Sequence, residues 1–291
     1  MAIKIYTKEY AETLANVFAH KQYFLNTFGG QLQVIDGVKD SDTFMTFKVS
    51  DTDVVVQAYD TGVNVGFGTG TGASNRFGAR KEIVSVDVPV EYETPLAIHE
   101  GVDDMTVNDN AEEVIAERTE LHAIAWTEQL NTIMGTALST NAYDTLNGDL
   151  NTEGVRATFN EAYKRFIDNQ IAQDITWTAY VTADIYAILV DDGLTTTAKQ
   201  SATNIDTQTV EMYKGFVIEV LPTKYFADEE NILFSADNVG VVGVGVQVYR
   251  IMDSEDFAGV AIQGAGKAGK YIPEKNKQAI LKASLVTPPE V

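Results

Sequence analysis

The fold is decided by residues 83–130, IVSVDVPVEYETPLAIHEGVDDMTVNDNAEEVIAERTELHAIAWTEQL, where a period of two gives way to a helical period. Val84, Val86, Val88, Val90 and Tyr92 alternate with polar neighbours, which predicts a strand with one face set apart from the other. Val114, Ile115, Leu121, Ala125, Leu130, Ile133 and Met134 then recur near helical spacing. Asn108 to Asn110 offer caps, and Glu112 and Glu113 sit where a helix N-terminus favours negative charge. A helix is expected from roughly Asp109 to Leu138, and about 30 residues at ~1.5 Å each would span roughly 45 Å, well beyond an average globular helix.

Working upstream, the β segment runs from roughly Phe44 to Glu100. FMTFKVS (44–50) and DVVVQAY (53–59) are β-branched and aromatic. Between them and the alternating run lies GFGTGTGASNRFG (66–78), whose glycines suit a flexible tip. Two antiparallel strands of ~15 residues a side would form a ribbon roughly 50 Å long, and a lone two-stranded ribbon is marginally stable in water. So much chain held out with so little local packing is expected to find its partner on another subunit. Residues 1–43 read as an N-terminal arm. Leu14, Val17, Phe18, Phe24, Leu25 and Phe28 give interrupted helical periodicity ending at Gly29-Gly30, and this apolar stripe needs cover from its own subunit or a neighbour.

Downstream, NAYDTLNGDLNTEG (141–154) reads as a loop, followed by an amphipathic helix from about Thr152 with Val155, Phe159, Tyr163, Phe166 and Ile167 on one face. TWTAYVT (176–182) predicts a buried strand, DIYAILVDDG (184–193) a short helix stopped by Gly193, and TTTAKQSATNIDTQT (195–209) an exposed loop. VEMYKGFVIEVLP (210–222) and NILFSADNVGVVGVGVQVYRI (231–251) predict strands, the first pair around Lys214-Gly215. About Gln247 to Leu285 returns to strands, including AILKASLV (279–286), with Lys267, Lys270, Lys275, Lys277 and Lys282 expected on solvated strand faces. Mixed order without strict βαβ repetition predicts the α+β class.

Composition narrows the function classes. The 291 residues carry 42 acids against 21 bases, a formal charge of -21, so phosphate backbones and anionic lipid are repelled and sequence-reading nucleic-acid binding is a poor expectation. A wall around nucleic acid, by contrast, should not grip the polymer it encloses. No run approaches 18 apolar residues and the opening lacks a signal-peptide pattern, so a soluble chain that does not meet a membrane is expected. With no cysteine, disulfides and thiolate chemistry are excluded.

Motifs for chemistry fail on context. Gly264, Gly266 and Gly269 match GxGxxG, but Pro273 and a lysine-rich strand region follow where a helix should open on the pyrophosphate. Gly66, Gly68, Gly70 and Gly72 lack a following GK[ST], and His20, His99 and His122 are scattered without HExxH. A calcium loop over Asp144 to Glu153 is opposed by Leu146 and Gly148 at ligand positions. GxSxG is missing. No catalytic residue, cofactor or metal is therefore expected. One charge pattern remains: Glu112, Glu113, Glu117 and Glu120 on the long helix against Arg118 alone, and Arg76, Arg80 and Lys81 at the ribbon tip. The basic tip of one subunit over the acidic helix of the next would fix register.

In this order of elements, the chain resembles the major capsid protein of tailed double-stranded DNA phages, a fold shared with encapsulin shells. Residues 83–130 resemble that family's extended loop descending into its spine helix. TAYVTADIYAILVDD (178–192), with YKGFVIEVLP and NILFSADNVGVVG after it, is similar to its axial domain, and the chain as a whole is most similar to capsid proteins of phages with Gram-positive hosts. The resemblance implies an arm at 1–43, an extended β loop at 44–104, a peripheral domain with its spine helix at 105–148, an axial α+β domain at 149–246, and C-terminal strands at 247–291 returning to the peripheral domain. It implies a virion subunit without enzymatic activity, assembled in the host cytoplasm into pentamers and hexamers around packaged DNA. A separate scaffolding protein and a portal are the partners it implies, since the chain opens at Met1 without a long charged helical region. Lys81 and Asn75 do not identify the covalent crosslink some relatives form. Two other readings stand beside it: an encapsulin-like compartment, and a nucleotide- or small-molecule-binding enzyme using 264–269.

Overall fold

A computed structural model describes residues 22–34, 43–50, 54–63, 65–66, 75–80, 82–106, 111–195, 203–204, 209–245 and 248–287. In chain order, β1 (Gln33–Val34), β2 (Thr43–Ser50), β3 (Ser85–Glu91) and β4 (Leu96–Asp103) precede α1 (Ala111–Thr140). β5 (Asp144–Asp149), α2 (Thr152–Asp168), β6 (Trp177–Val181) and α3 (Ala183–Thr195) follow. Next come the two-residue strands β7 (Thr203–Asn204), β8 (Thr209–Val210) and β9 (Met212–Tyr213). β10 (Phe216–Val220), β11 (Ile232–Ala236), β12 (Val241–Val244), β13 (Val248–Asp253), β14 (Gly259–Gly266), β15 (Ala268–Tyr271) and β16 (Ile280–Val286) complete the chain. Two compact units result, Thr43–Glu91 and the remainder.

The larger unit is centred on a six-stranded mixed sheet ordered β5-β16-β11-β6-β10-β9. Its middle strands β6 and β11 are buried at every position, as strands covered on both faces must be. On one face α2 lays down the stripe read from the sequence. Phe159 packs edge-on against Tyr213, Phe216 and Phe234, and Phe166 against Trp177 and Phe216, with centroids 5.0 to 6.0 Å apart. Asn151 caps α2 by accepting from the Gly154 N–H at 2.7 Å. On the other face Tyr180 meets Phe24 at 4.7 Å, and its hydroxyl shares a 2.7 Å hydrogen bond with Thr27. The second half of α1 adds Leu130, Met134, Ala137 and Leu138 to the same core.

Several expectations change here. Of the two covers left open for the apolar stripe, residues 22–34 take their own subunit: Phe24 and Phe28 are buried in the core of their own unit, and the helical turn stops at Gly29 and Gly30, both at positive φ. Val239 N–H donates to Thr27 O and Asn238 N–H to Asn26 O, tying that turn to the end of β11. Residues 141–154 are not simply a loop, because Asp144–Asp149 is the edge strand β5, parallel to β16; its single buried apolar residue, Leu146, gave too short a pattern to read. Asp144 of β5 pairs with Arg165 of α2. Helix α3 runs through Gly193 to Thr195. The central sheet draws β16 from beyond residue 246 and β5 from before 149.

A second, three-stranded sheet ordered β13-β14-β4 carries the first half of α1. Tyr249 on β13 hydrogen-bonds Thr119 of α1 at 2.6 Å, and Gly264 on β14 lies against Trp126. A third sheet, β1-β12-β15, contains Gly269, which pairs with Gly243 on one side and bridges to Tyr92 on the other. The GxGxxG glycines are therefore strand residues, with β15 following β14 where a nucleotide site needs a helix.

In the smaller unit, β2 and β3 pair antiparallel with an irregularity between Thr43 and Met45. The ladder is seven to eight residues long, half the expected length, and 54–60 lies outside it. Asp60 N–H nevertheless donates to Arg76 O at 2.9 Å and Gln57 Nε2 to Ala79 O at 2.8 Å, which continues the β2–β3 register to within one residue. Among the described residues, one cross-strand backbone bond and several side chains hold the outer part together in place of a continuous ladder.

Candidate self-association surfaces

The Thr43–Glu91 unit exposes apolar side chains on a scale that the larger unit does not. Val54, Val56 and Val63 are 93%, 94% and 90% exposed, and Val55, Tyr59, Phe77, Ile83, Val84 and Val86 are exposed as well. A contiguous stretch such as VVV at 54–56 in open water is the kind of feature that marks an interaction site.

The candidate contact residues fare unequally. Arg76 is engaged inside its own unit: Nε donates to Val65 O at 2.9 Å, a terminal nitrogen lies 3.4 Å from Gly62 O, and the guanidinium sits 6.0 Å from the Tyr59 ring. Tyr59 in turn meets Phe77 edge-on at 5.2 Å, so Arg76 organises the loop. Arg80 is exposed. Lys81, residues 67–74 and the cap region 107–110 lie outside the described residues. Glu112, Glu113 and Glu117 are on the first turns of α1, their side chains outside the described set, while Glu120 is exposed.

The sequence reading missed a cluster on the same helix. Glu100 of β4 accepts from both Arg118 and the buried His122, one helical turn apart on α1; Nε2 of His122 lies 2.9 Å from the carboxylate. Arg118's hydrogen bond, opposed by burial and aided by His122, holds the Glu100 carboxyl at about 2, well below the usual range. This clamp fixes the first half of α1 to the strand that follows the β2–β3 ribbon. Only the i, i+4 spacing of Arg118 and His122 signalled it. A buried carboxylate, Glu230, accepts from Ser139 at 2.7 Å and from Lys282 at 2.6 Å. The C-terminal lysines are thus more than solvated decoration: Lys270 pairs with Glu93, Lys277 with Glu274 and Lys282 with Glu230. Glu219, beside Asp237, is pushed up to about 7 by burial first and the Asp237 charge second.

No family model matches this chain, and no curated protein matches it in sequence. Solved structures do. The chain is similar to a chain of the cyanophage P-SCSP1u capsid at 10% identity and TM-score 0.66, covering 92% of this chain and 89% of that one. A chain of the bacteriophage PhiM1 mature capsid matches at 10% identity and TM-score 0.65 over 92% and 88%. A virus-like particle from Pyrococcus furiosus matches at 13% identity and TM-score 0.50 over 96% and 100%. The chain has the fold of phage capsid proteins, and that fold extends over almost its whole length.

Proposed function

We propose that this chain is the structural subunit of an icosahedral phage shell, acting by self-association and without enzymatic chemistry. The observation that carries this reading is the exposed apolar surface of Thr43–Glu91, which a sister copy would cover. The capsid fold and the excess of 21 negative charges, suited to a wall that does not grip enclosed DNA, support it. Pentamers and hexamers, a separate scaffolding protein and a portal belong to this proposal, as do assembly in the host cytoplasm and a final place in the virion. Among the described residues no helix is long and apolar enough to cross a membrane. The five-part division at 43/44, 104/105, 148/149 and 246/247 is our proposal for the subunit's organisation. Contacts run from Arg80 and Lys81, with Arg76 shaping the loop, to Glu112, Glu113, Glu117 and Glu120 of the next copy.

The test is sedimentation of the purified chain, alone and with a candidate scaffolding protein. Capsomers or particles are expected, and Arg80→Glu with Lys81→Glu abolishes them while the subunit stays folded. A monodisperse monomer that binds nucleotide would instead favour an enzyme. Shells that take up an enzyme through a short peptide, leaving DNA outside, would favour an encapsulin-like compartment.

A further inference from the structure

The β13-β14-β4 sheet has two faces of opposite character. Tyr249 and Glu100 meet α1 on one. On the other, the register sets three rows across the strands: Val248, Ala265 and Ala97; Arg250, Gln263 and His99; Met252, Ala261 and Gly101. Arg250 and His99 are exposed and Gln263 is half-buried. Val248 and Met252, either side of Arg250, are 42% and 39% exposed.

The middle row is wired in one direction. Arg250 Nε donates to Gln263 Oε1 at 2.5 Å, which turns the amide so that its nitrogen faces His99 Nε2 at 3.1 Å. An amide nitrogen can only donate, so Nε2 accepts and the neutral ring carries its proton on Nδ1. The row's remaining capacity is therefore donor capacity, guanidinium N–H groups at one end and an imidazole N–H at the other, roughly 10 Å apart across three strands. Donors flanked by apolar side chains fit a carboxylate carried on a partly apolar surface.

We propose that this face is an interface that receives carboxylates of a second copy of the chain. The second copy is the occupant by charge: acids outnumber bases 42 to 21, so an exposed guanidinium at the end of a donor row on one copy is complementary to the acidic surface of another. The proposal rests on the reading that copies associate, and adds a contact distinct from the Thr43–Glu91 loop.

A photo-crosslinking amino acid placed at exposed Ala97 tests it in the full chain, with the same probe at Val56 as reference. Crosslinks from Ala97 to an Asp- or Glu-bearing peptide of another copy are expected. Arg250→Glu should weaken them about tenfold, as should raised salt, while Arg250→Lys preserves them; Arg250→Gln serves if the reversal does not fold. Intermolecular crosslinks from Val56 alone, crosslinks from Ala97 to nucleic acid, or indifference to Arg250→Glu would overturn the proposal and leave the shell reading standing. Intermolecular crosslinks from neither position would overturn both.

Discussion

The double variant Val54→Ser/Val56→Ser separates association from folding. Both side chains are more than 90% exposed, so within the subunit they contribute almost nothing to burial. Covered by a sister copy, each would gain at least about 1.5 kcal/mol, or about 3 kcal/mol for the pair. The translational and rotational cost of association is common to both proteins, so the difference should survive as roughly a 100-fold weaker contact. Sedimentation velocity over a concentration series reads that shift directly. The thermal unfolding of the dissociated subunit should change by no more than about 0.5 kcal/mol, as for ordinary surface substitutions. Unaltered association together with a lowered melting temperature would refute the reasoning, because it would show these valines to be packed within their own subunit.

Phe159→Ala should do the reverse, costing about 3–5 kcal/mol of subunit stability by chemical denaturation, because Phe159 is fully buried among Tyr213, Phe216 and Phe234. Glu100 has a depressed carboxyl, so its contribution is present above the unfolded value near 4.5 and is lost as pH falls toward 2. Acid unfolding of Glu100→Gln should lack that part of the pH dependence, and at neutral pH the variant should lose about 1–3 kcal/mol, because the amide keeps one of the two oxygens that Arg118 and buried His122 use and gives up the charge. Glu219 has the opposite sign: raised to about 7, it favours the fold most below pH 4.5, and stability declines as pH climbs through 7. Melting temperatures of Glu219→Gln between pH 4.5 and 8 should be flatter than those of the parent.

Sequence periodicity carried the long elements well. The helix expected from Asp109 to Leu138 is Ala111–Thr140, and the stripe of Val155, Phe159 and Phe166 faces the central sheet. Long apolar repeats survive translation into structure because burial fixes their face. Short or weakly patterned pieces did not translate. β5 has one buried apolar residue and exists because β16 lies beside it, a fact about residues more than 130 positions away. The outer half of the ribbon looked like strand by composition, yet Gln57 and Asp60 hold it through isolated bonds in place of a ladder. The apolar run Val54–Val56 was legible as β-branched sequence, but its exposure is a fact of the fold. The employment of Arg76 within its own loop is a pairing with no local signature, and the Glu100–Arg118–His122 clamp left only the i, i+4 spacing of Arg118 and His122.

Cryo-electron microscopy of particles formed by the purified chain shows which copy covers the Thr43–Glu91 unit. Closed shells are expected in which residues 43–91 of each copy lie on a different copy, with Val54 and Val56 covered there. A map showing those residues folded onto residues 92–291 of the same copy, or a chain that forms no particles under any condition that supports its fold, would contradict it.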